Sequence, residues 1–90
     1  MDLKQLRTFS TVAQLGSLSK AADQLSTAQP ALSRQIKLLE QELKTPLFLR
    51  HARGMILTSE GIVLLERAER ILYDVEDAKL AVQREIRSND

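Results

Sequence analysis

LSKAADQLSTAQPALSRQIKLLEQEL, residues 18–43, reads as two helices joined by a turn. In its second half Leu32, Ile36, Leu39 and Leu43 recur at steps of four, three and four, which puts them along one side of a helix. Pro30, Ser33, Arg34 and Lys37 then fall on another face. The first half is short, about Leu18 to Leu25, and Ala21 and Ala22 are small enough to let another helix cross closely. Ser26, Thr27, Ala28 and Gln29 make the turn. Pro30 suits the first turn of the second helix, where its missing N–H is not needed and its fixed φ is already helical. That helix is predicted over 30–43, with Pro46 marking its end.

Working outward, Asp2 can cap an earlier helix, with Gln5 three residues on in the capping-box position. Leu3, Leu6, Phe9, Val12 and Ala13 form its buried stripe, Gly16 closes it in the left-handed conformation, and Ser17 caps the next helix. Beyond the central stretch, LFLRHARGMILT (residues 47–58) sets two short apolar runs around a polar centre containing Arg53-Gly54. This pattern predicts a β-hairpin with a loop of about four residues and with Arg50, His51 and Arg53 at or near its tip.

From Thr58 the pattern is helical for about thirty residues. Thr58 can cap this helix, and Glu60 in its first turn complements the dipole. Leu64, Ala68, Ile71, Val75, Ala78 and Val82 alternate steps of four and three, Ile86 follows at a further step of four, and Ile62, Leu65 and Leu72 widen the stripe. At about 1.5 Å per residue the helix spans about 40 Å, more than the preceding residues can cover. Leu64, Leu65, Ala68, Ile71, Leu72, Val75, Ala78 and Val82 are therefore expected to meet an identical helix in a two-fold dimer. The competing expectation is a helix folded entirely onto its own domain. The fold expected is mainly α. A winged helix-turn-helix of three helices plus a hairpin occupies 1–58, a dimerisation helix 59–87, and the start of a hinge 88–90.

Ninety residues allow one compact domain, and composition with 43% hydrophobic and 28% charged residues is globular rather than disordered. An aromatic content of 3% argues against single-strand or RNA binding by base stacking. The absence of cysteine excludes disulfides, thiol nucleophiles and cysteine-ligated zinc. No run of about eighteen apolar residues occurs and the N-terminus is not a signal sequence, so a cytoplasmic chain without a membrane partner is expected. The net charge of +1 hides an asymmetry. Through Thr58 eight Lys or Arg face four acids, a balance of +4, and the remainder holds five against eight, a balance of −3. Basic charge gathered in the two-helix half suits a polyanion.

A basic, hydroxyl-bearing helix face held from behind by a short preceding helix is the geometry that enters a DNA major groove. Gln29 has the paired donor and acceptor that read adenine, Arg34 reaches guanine O6 and N7 or a phosphate, and Ser33 bonds a base edge or a phosphate. Lys37 lies deeper and suits a phosphate. No acid occurs over 28–39. Arg53, beside Gly54, reaches phosphates or the minor groove from the wing. Arg50 either does likewise or makes an internal ion pair. His51 is the sole histidine, and with no cysteine to join it no metal site is expected. There is no Gly-rich phosphate loop, no nucleophile beside a base and no paired carboxylates, so no enzyme is expected. The alternative to DNA binding is an interaction module that uses the same fold to dimerise or bind a partner helix.

The segments LRTFSTVAQLGSLSKAADQL, QPALSRQIKLLEQEL, PLFLR and RGMILTSEG, in that order and spacing, resemble the N-terminal DNA-binding domain of LysR-type transcriptional regulators. The resemblance implies a bacterial transcription factor that reads a partly palindromic promoter site in double-stranded DNA. It further implies action as a homodimer paired through a linker helix, or as part of a tetramer in the full-length protein. Carried over residue by residue, Gln29, Pro30, Ser33 and Arg34 match the major-groove positions and Arg53 the wing position near the minor groove. Lys37 and Arg50 match basic positions near phosphate. Family members continue into an effector-binding domain. This chain ends where the hinge would begin, so no cofactor is expected in the fragment and a small-molecule inducer is expected to bind an absent C-terminal domain. Three departures stand out. Ala28 replaces the usual serine, removing a cap or phosphate contact for which Thr27 or Ser26 would substitute. Lys44 replaces the usual glycine after the third helix, and Leu18 the usual phenylalanine, a change confined to packing.

Overall fold

A computed structural model describes residues 1–89. Four helices and one hairpin follow in the order α1 (Leu3–Leu15), α2 (Leu18–Leu25), α3 (Gln29–Leu43), β1 (Phe48–His51), β2 (Gly54–Leu57) and α4 (Ser59–Ser88). Among the described residues no helix is long and apolar enough to cross a membrane.

The helix ends follow the local chemistry. Asp2 Oδ1 accepts from Gln5 N at 2.8 Å while Asp2 N donates to Gln5 Oε1 at 3.2 Å, completing the capping box. Gly16 closes α1 at φ 65°, and Ser17 Oγ accepts from Lys20 N at 3.2 Å to open α2. The third helix begins one residue earlier than predicted, at Gln29, which places Pro30 at its second position. Its N-cap, Ala28, offers no side-chain hydrogen bond. Neither expected substitute fills that role. Ser26 sits in the left-handed region at φ 52° as the end of α2, and Thr27 Oγ1 donates back to Leu25 O at 3.0 Å. At the other end Lys44 keeps the left-handed conformation that glycine favours, φ 59°, at a steric cost of roughly 1 kcal/mol.

The hairpin pairs Phe48 with Leu57, Leu49 with Ile56, Arg50 with Met55 and His51 with Gly54. The turn is therefore the two residues Ala52-Arg53, shorter than the predicted loop. Gly54 is needed on two counts: its φ of 136° is one that L side chains rarely adopt, and a Cβ there would lie 2.3 Å from Gly16 O. Met55 N donates to the same carbonyl at 3.1 Å, tying the wing to the end of α1.

The core gathers Leu6, Phe9 and Val12 from α1, Leu18, Ala21 and Ala22 from α2, Leu32, Ile36 and Leu39 from α3, then Leu47, Phe48 and Ala68. The Phe9 and Phe48 rings meet at 5.3 Å between centroids. Leu18 is buried in place of a larger ring. Leu3 and Leu43 depart from their predicted stripes and are exposed, and Ala13 is half-buried. Both leucines lie in terminal turns, where the helix has run past the neighbours that cover its middle. Two polar contacts set the angle of α3: Thr8 Oγ1 donates to Gln35 Oε1 at 2.7 Å, and Glu40 Oε2 accepts from Leu47 N at 2.7 Å and Phe48 N at 3.3 Å.

Thr58 anchors α4. Its Oγ1 accepts from Gly61 N at 3.0 Å and donates to Pro46 O at 2.8 Å, while its N–H reaches Leu47 O at 3.0 Å. From there α4 runs out of the domain, giving the molecule dimensions of 55 × 25 × 19 Å. Of its described residues only Gly61 and Ala68 are buried, so the helix does not fold back over its own core. It remains helical through Ser88 with Asn89 as its cap, one residue past the expected end at 87 and into the expected start of the hinge. Asp90, also assigned to that hinge, lies outside the described residues.

Candidate nucleic-acid interface

The apolar side of α3 is held down by Leu32, Ile36 and Leu39, and the face turned away from them carries Gln29, Pro30, Arg34 and Lys37, all exposed. Ser33 is half-buried at the edge of this row. The wing lies beside it. Along β1 the side chains alternate: Phe48 turns into the core and Leu49 outward, and Arg50 follows Phe48 toward the domain. Its Nη2 donates to Ser33 Oγ at 3.0 Å. The internal ion pair expected as one option for Arg50 is not what forms. The ion pairs among the described residues are Met1 N with Glu42 and Lys79 with Glu76.

At the tip of the wing Arg53 is exposed, and its backbone N–H donates to His51 Nδ1 at 3.3 Å, so the sole histidine braces the turn. No group of three or more His, Cys, Asp or Glu side chains converges on a possible metal site among the described residues. Gln29, Pro30, Ser33, Arg34, Lys37, Arg50 and Arg53 thus border one surface, with Arg50 exposed and reaching across to Ser33 and Arg53 exposed at the wing tip. The nearest acid along α3, Glu40, has its carboxylate engaged by the backbone of Leu47 and Phe48.

The second surface is the apolar side of α4. Ala68 is buried, Leu64, Leu65, Leu72 and Val75 are half-buried, and Ile71, Ala78 and Val82 are exposed. Beside its first turns an apolar groove of about 420 Å³ opens between Leu43, Leu47, Val63 and Leu64, with Arg67 at its rim. Leu43, which the spacing assigned to the core, borders this groove instead.

Sequence reading missed Gln35 and Glu40, the residues that aim α3. For Glu40 a signal existed: an acid in the last turn of a helix opposes the dipole and calls for a specific partner. Gln35 carries no such mark, since only the packing of α1 shows that it meets Thr8.

Residues 3–62 match the family described as bacterial regulatory helix-turn-helix protein, lysR family. The chain belongs to the LysR family. Among LysR relatives it is 49% identical over 79 residues to the HTH-type transcriptional regulator CzcR of Bacillus cereus, covering 88% of this chain and 27% of CzcR. It is 51% identical over 84 residues to BsdA of Bacillus subtilis, covering 92% of this chain and 29% of BsdA. The chain therefore spans less than a third of these curated relatives. Solved LysR structures superpose closely. A BenM DNA-binding domain in complex with benA site 1 DNA matches at TM-score 0.89 with 40% identity, covering 93% of this chain and 98% of that one. A CbnR DNA-binding domain in complex with DNA matches at TM-score 0.82 with 37% identity over 100% of both chains.

Proposed function

We propose that this chain is the DNA-binding segment of a bacterial transcriptional regulator and reads double-stranded promoter DNA sequence-specifically. The observation that carries this reading is the exposed row Gln29, Pro30, Arg34 and Lys37 on α3, backed by a closed apolar core and flanked by the basic wing. α3 enters the major groove. Gln29 and Arg34 take base edges, Lys37 takes a phosphate, and Arg53 lies toward the minor groove. The likeness to two domains solved on DNA supports the same assignment.

Two copies pair through the uncovered side of α4, and the paired helices set two α3 heads about 34 Å apart, one helical turn of DNA. The chain spans less than a third of its curated relatives, and we place an inducer-binding domain in the remaining length of the regulator, which acts in the cytoplasm as a dimer or tetramer. The test is a fluorescence-anisotropy titration on promoter DNA from upstream of the protein's own gene and on random duplex, across salt. Preference for the promoter by about 10³-fold or more is expected. Binding undetectable even at low salt overturns the reading and leaves a dimerisation module.

A further inference from the structure

We infer that Arg50 governs base reading through Ser33, as a positioning residue rather than a backbone contact; the inference rests on the DNA-reading role proposed above. A guanidinium only donates, so in the 3.0 Å contact Ser33 Oγ must accept. One lone pair of the hydroxyl is thereby committed, and its proton is left to donate. Serine and threonine in a helix commonly turn that proton back to the carbonyl four residues earlier. Thr11 and Ser88 do so in this chain, bonding Arg7 O and Arg84 O. Ser33 makes no such bond among the described residues. Its O–H is held at the edge of the reading row, one turn on from Gln29 and Pro30.

Arg50 thereby holds the Ser33 oxygen in place, with its proton able to bond the major-groove acceptors, guanine N7 and O6, adenine N7 and thymine O4, and its second lone pair able to accept from an amino group. Without that contact the hydroxyl would be free to turn back to the carbonyl of Gln29, four residues earlier.

The wing geometry explains why Arg50 serves this purpose. Arg50 pairs with Met55 and lies on the same side of the hairpin as buried Phe48, so its stem runs toward α3. Lys37 and Glu40 border the same narrow groove. Glu40 does not draw the guanidinium away, because its carboxylate holds Leu47 N and Phe48 N and forms no ion pair with Arg50. The wing is thus latched onto the recognition helix at the residue whose hydroxyl reads a base.

The experiment uses two probes: a duplex selected by the wild-type chain from a random-sequence pool, and a scrambled duplex of the same composition. Arg50→Ala, Arg50→Lys, Ser33→Ala and the Arg50→Ala/Ser33→Ala double variant are titrated on both across salt, with circular dichroism melts confirming each is folded. Arg50→Ala and Ser33→Ala are each expected to lose about tenfold on the selected duplex and less than about threefold on the scrambled one. The double variant should be no worse than the worse single, and the salt slope of Arg50→Ala should match wild type. Arg50→Lys, which keeps the charge without the planar fork, should lose affinity on the selected duplex as Arg50→Ala does and leave the scrambled duplex unchanged. Equal loss on both probes with a slope flatter by about 0.9, or losses that multiply in the double variant, would overturn the inference and make Arg50 a phosphate contact. A wild-type chain that fails to prefer its selected duplex defeats the DNA-reading proposal itself, a separate outcome.

Discussion

Gly61→Ala sets two effects of opposite sign against each other at the root of α4. Alanine is favoured over glycine within a helix by about 1 kcal/mol, so propensity alone expects a more stable protein. The packing opposes this. A Cβ on Gly61 would lie 2.2 Å from Leu47 O and 2.8 Å from Leu57 Cδ2, where ordinary contact begins at 3.4 Å. Relief requires a shift of roughly 1 Å. Leu47 O cannot give way freely, because it accepts from Thr58 N at 3.0 Å, and Thr58 in turn caps α4 through Gly61 N. Overpacking of about 2 kcal/mol together with a weakened cap of about 1 kcal/mol outweighs the propensity gain, leaving a net loss of about 2 kcal/mol. For a domain of this size that corresponds to a fall in Tm of roughly 8–16 °C. The assay is a circular dichroism melt of both proteins at one fixed concentration, since dimerisation makes Tm concentration-dependent. An alanine variant as stable as wild type, or more so, would refute the close approach of Leu47 to α4.

Lys44→Gly should stabilise by about 0.5–1 kcal/mol, because a side chain now occupies the left-handed helix end at φ 59°; urea unfolding would show a raised midpoint at constant slope. Arg34→Ala should weaken specific binding by about 1–3 kcal/mol and relax preference at one base position, whereas equal loss on specific and random duplex would count against base reading. Lys37→Ala should weaken both alike and flatten the salt slope by about 0.9, as titrations across salt would show. Val82→Glu, on the exposed apolar side of α4, should convert dimer to monomer by sedimentation at tens of micromolar and leave a cooperative melt whose Tm no longer depends on concentration; wild type that is monomeric under the same conditions would remove the dimer from the account.

Much of the fold was legible because it is written locally. Asp2 with Gln5, Gly16, Ser17 and Thr58 each act within a few residues of themselves, and each caps or ends the helix that its position announces. The stripe Leu32, Ile36 and Leu39 faces the core as its spacing requires, and the length of α4 showed that its own domain could not cover it. What stayed hidden depends on partners distant in sequence. Gly61 is glycine because the Leu47 carbonyl comes too close for a Cβ, and Gly54 because the Gly16 carbonyl does so at a φ of 136°, facts of docking that periodicity does not carry. The same holds for Arg50, where charge announced a basic residue near the wing but only the register of β1 turned it onto Ser33. Leu3 and Leu43 fit their helical periods and are exposed, since a period gives a face but not where its cover stops.

Selection of duplexes from a random-sequence pool by the wild-type chain, followed by sequencing, tests the central claim most directly. The expected product is one enriched, partly two-fold-symmetric motif whose half-sites lie about one helical turn apart, and whose preference at one position disappears when Arg34→Ala repeats the selection. A pool that stays unenriched, or a motif that Arg34→Ala leaves unchanged, would contradict a recognition surface on α3.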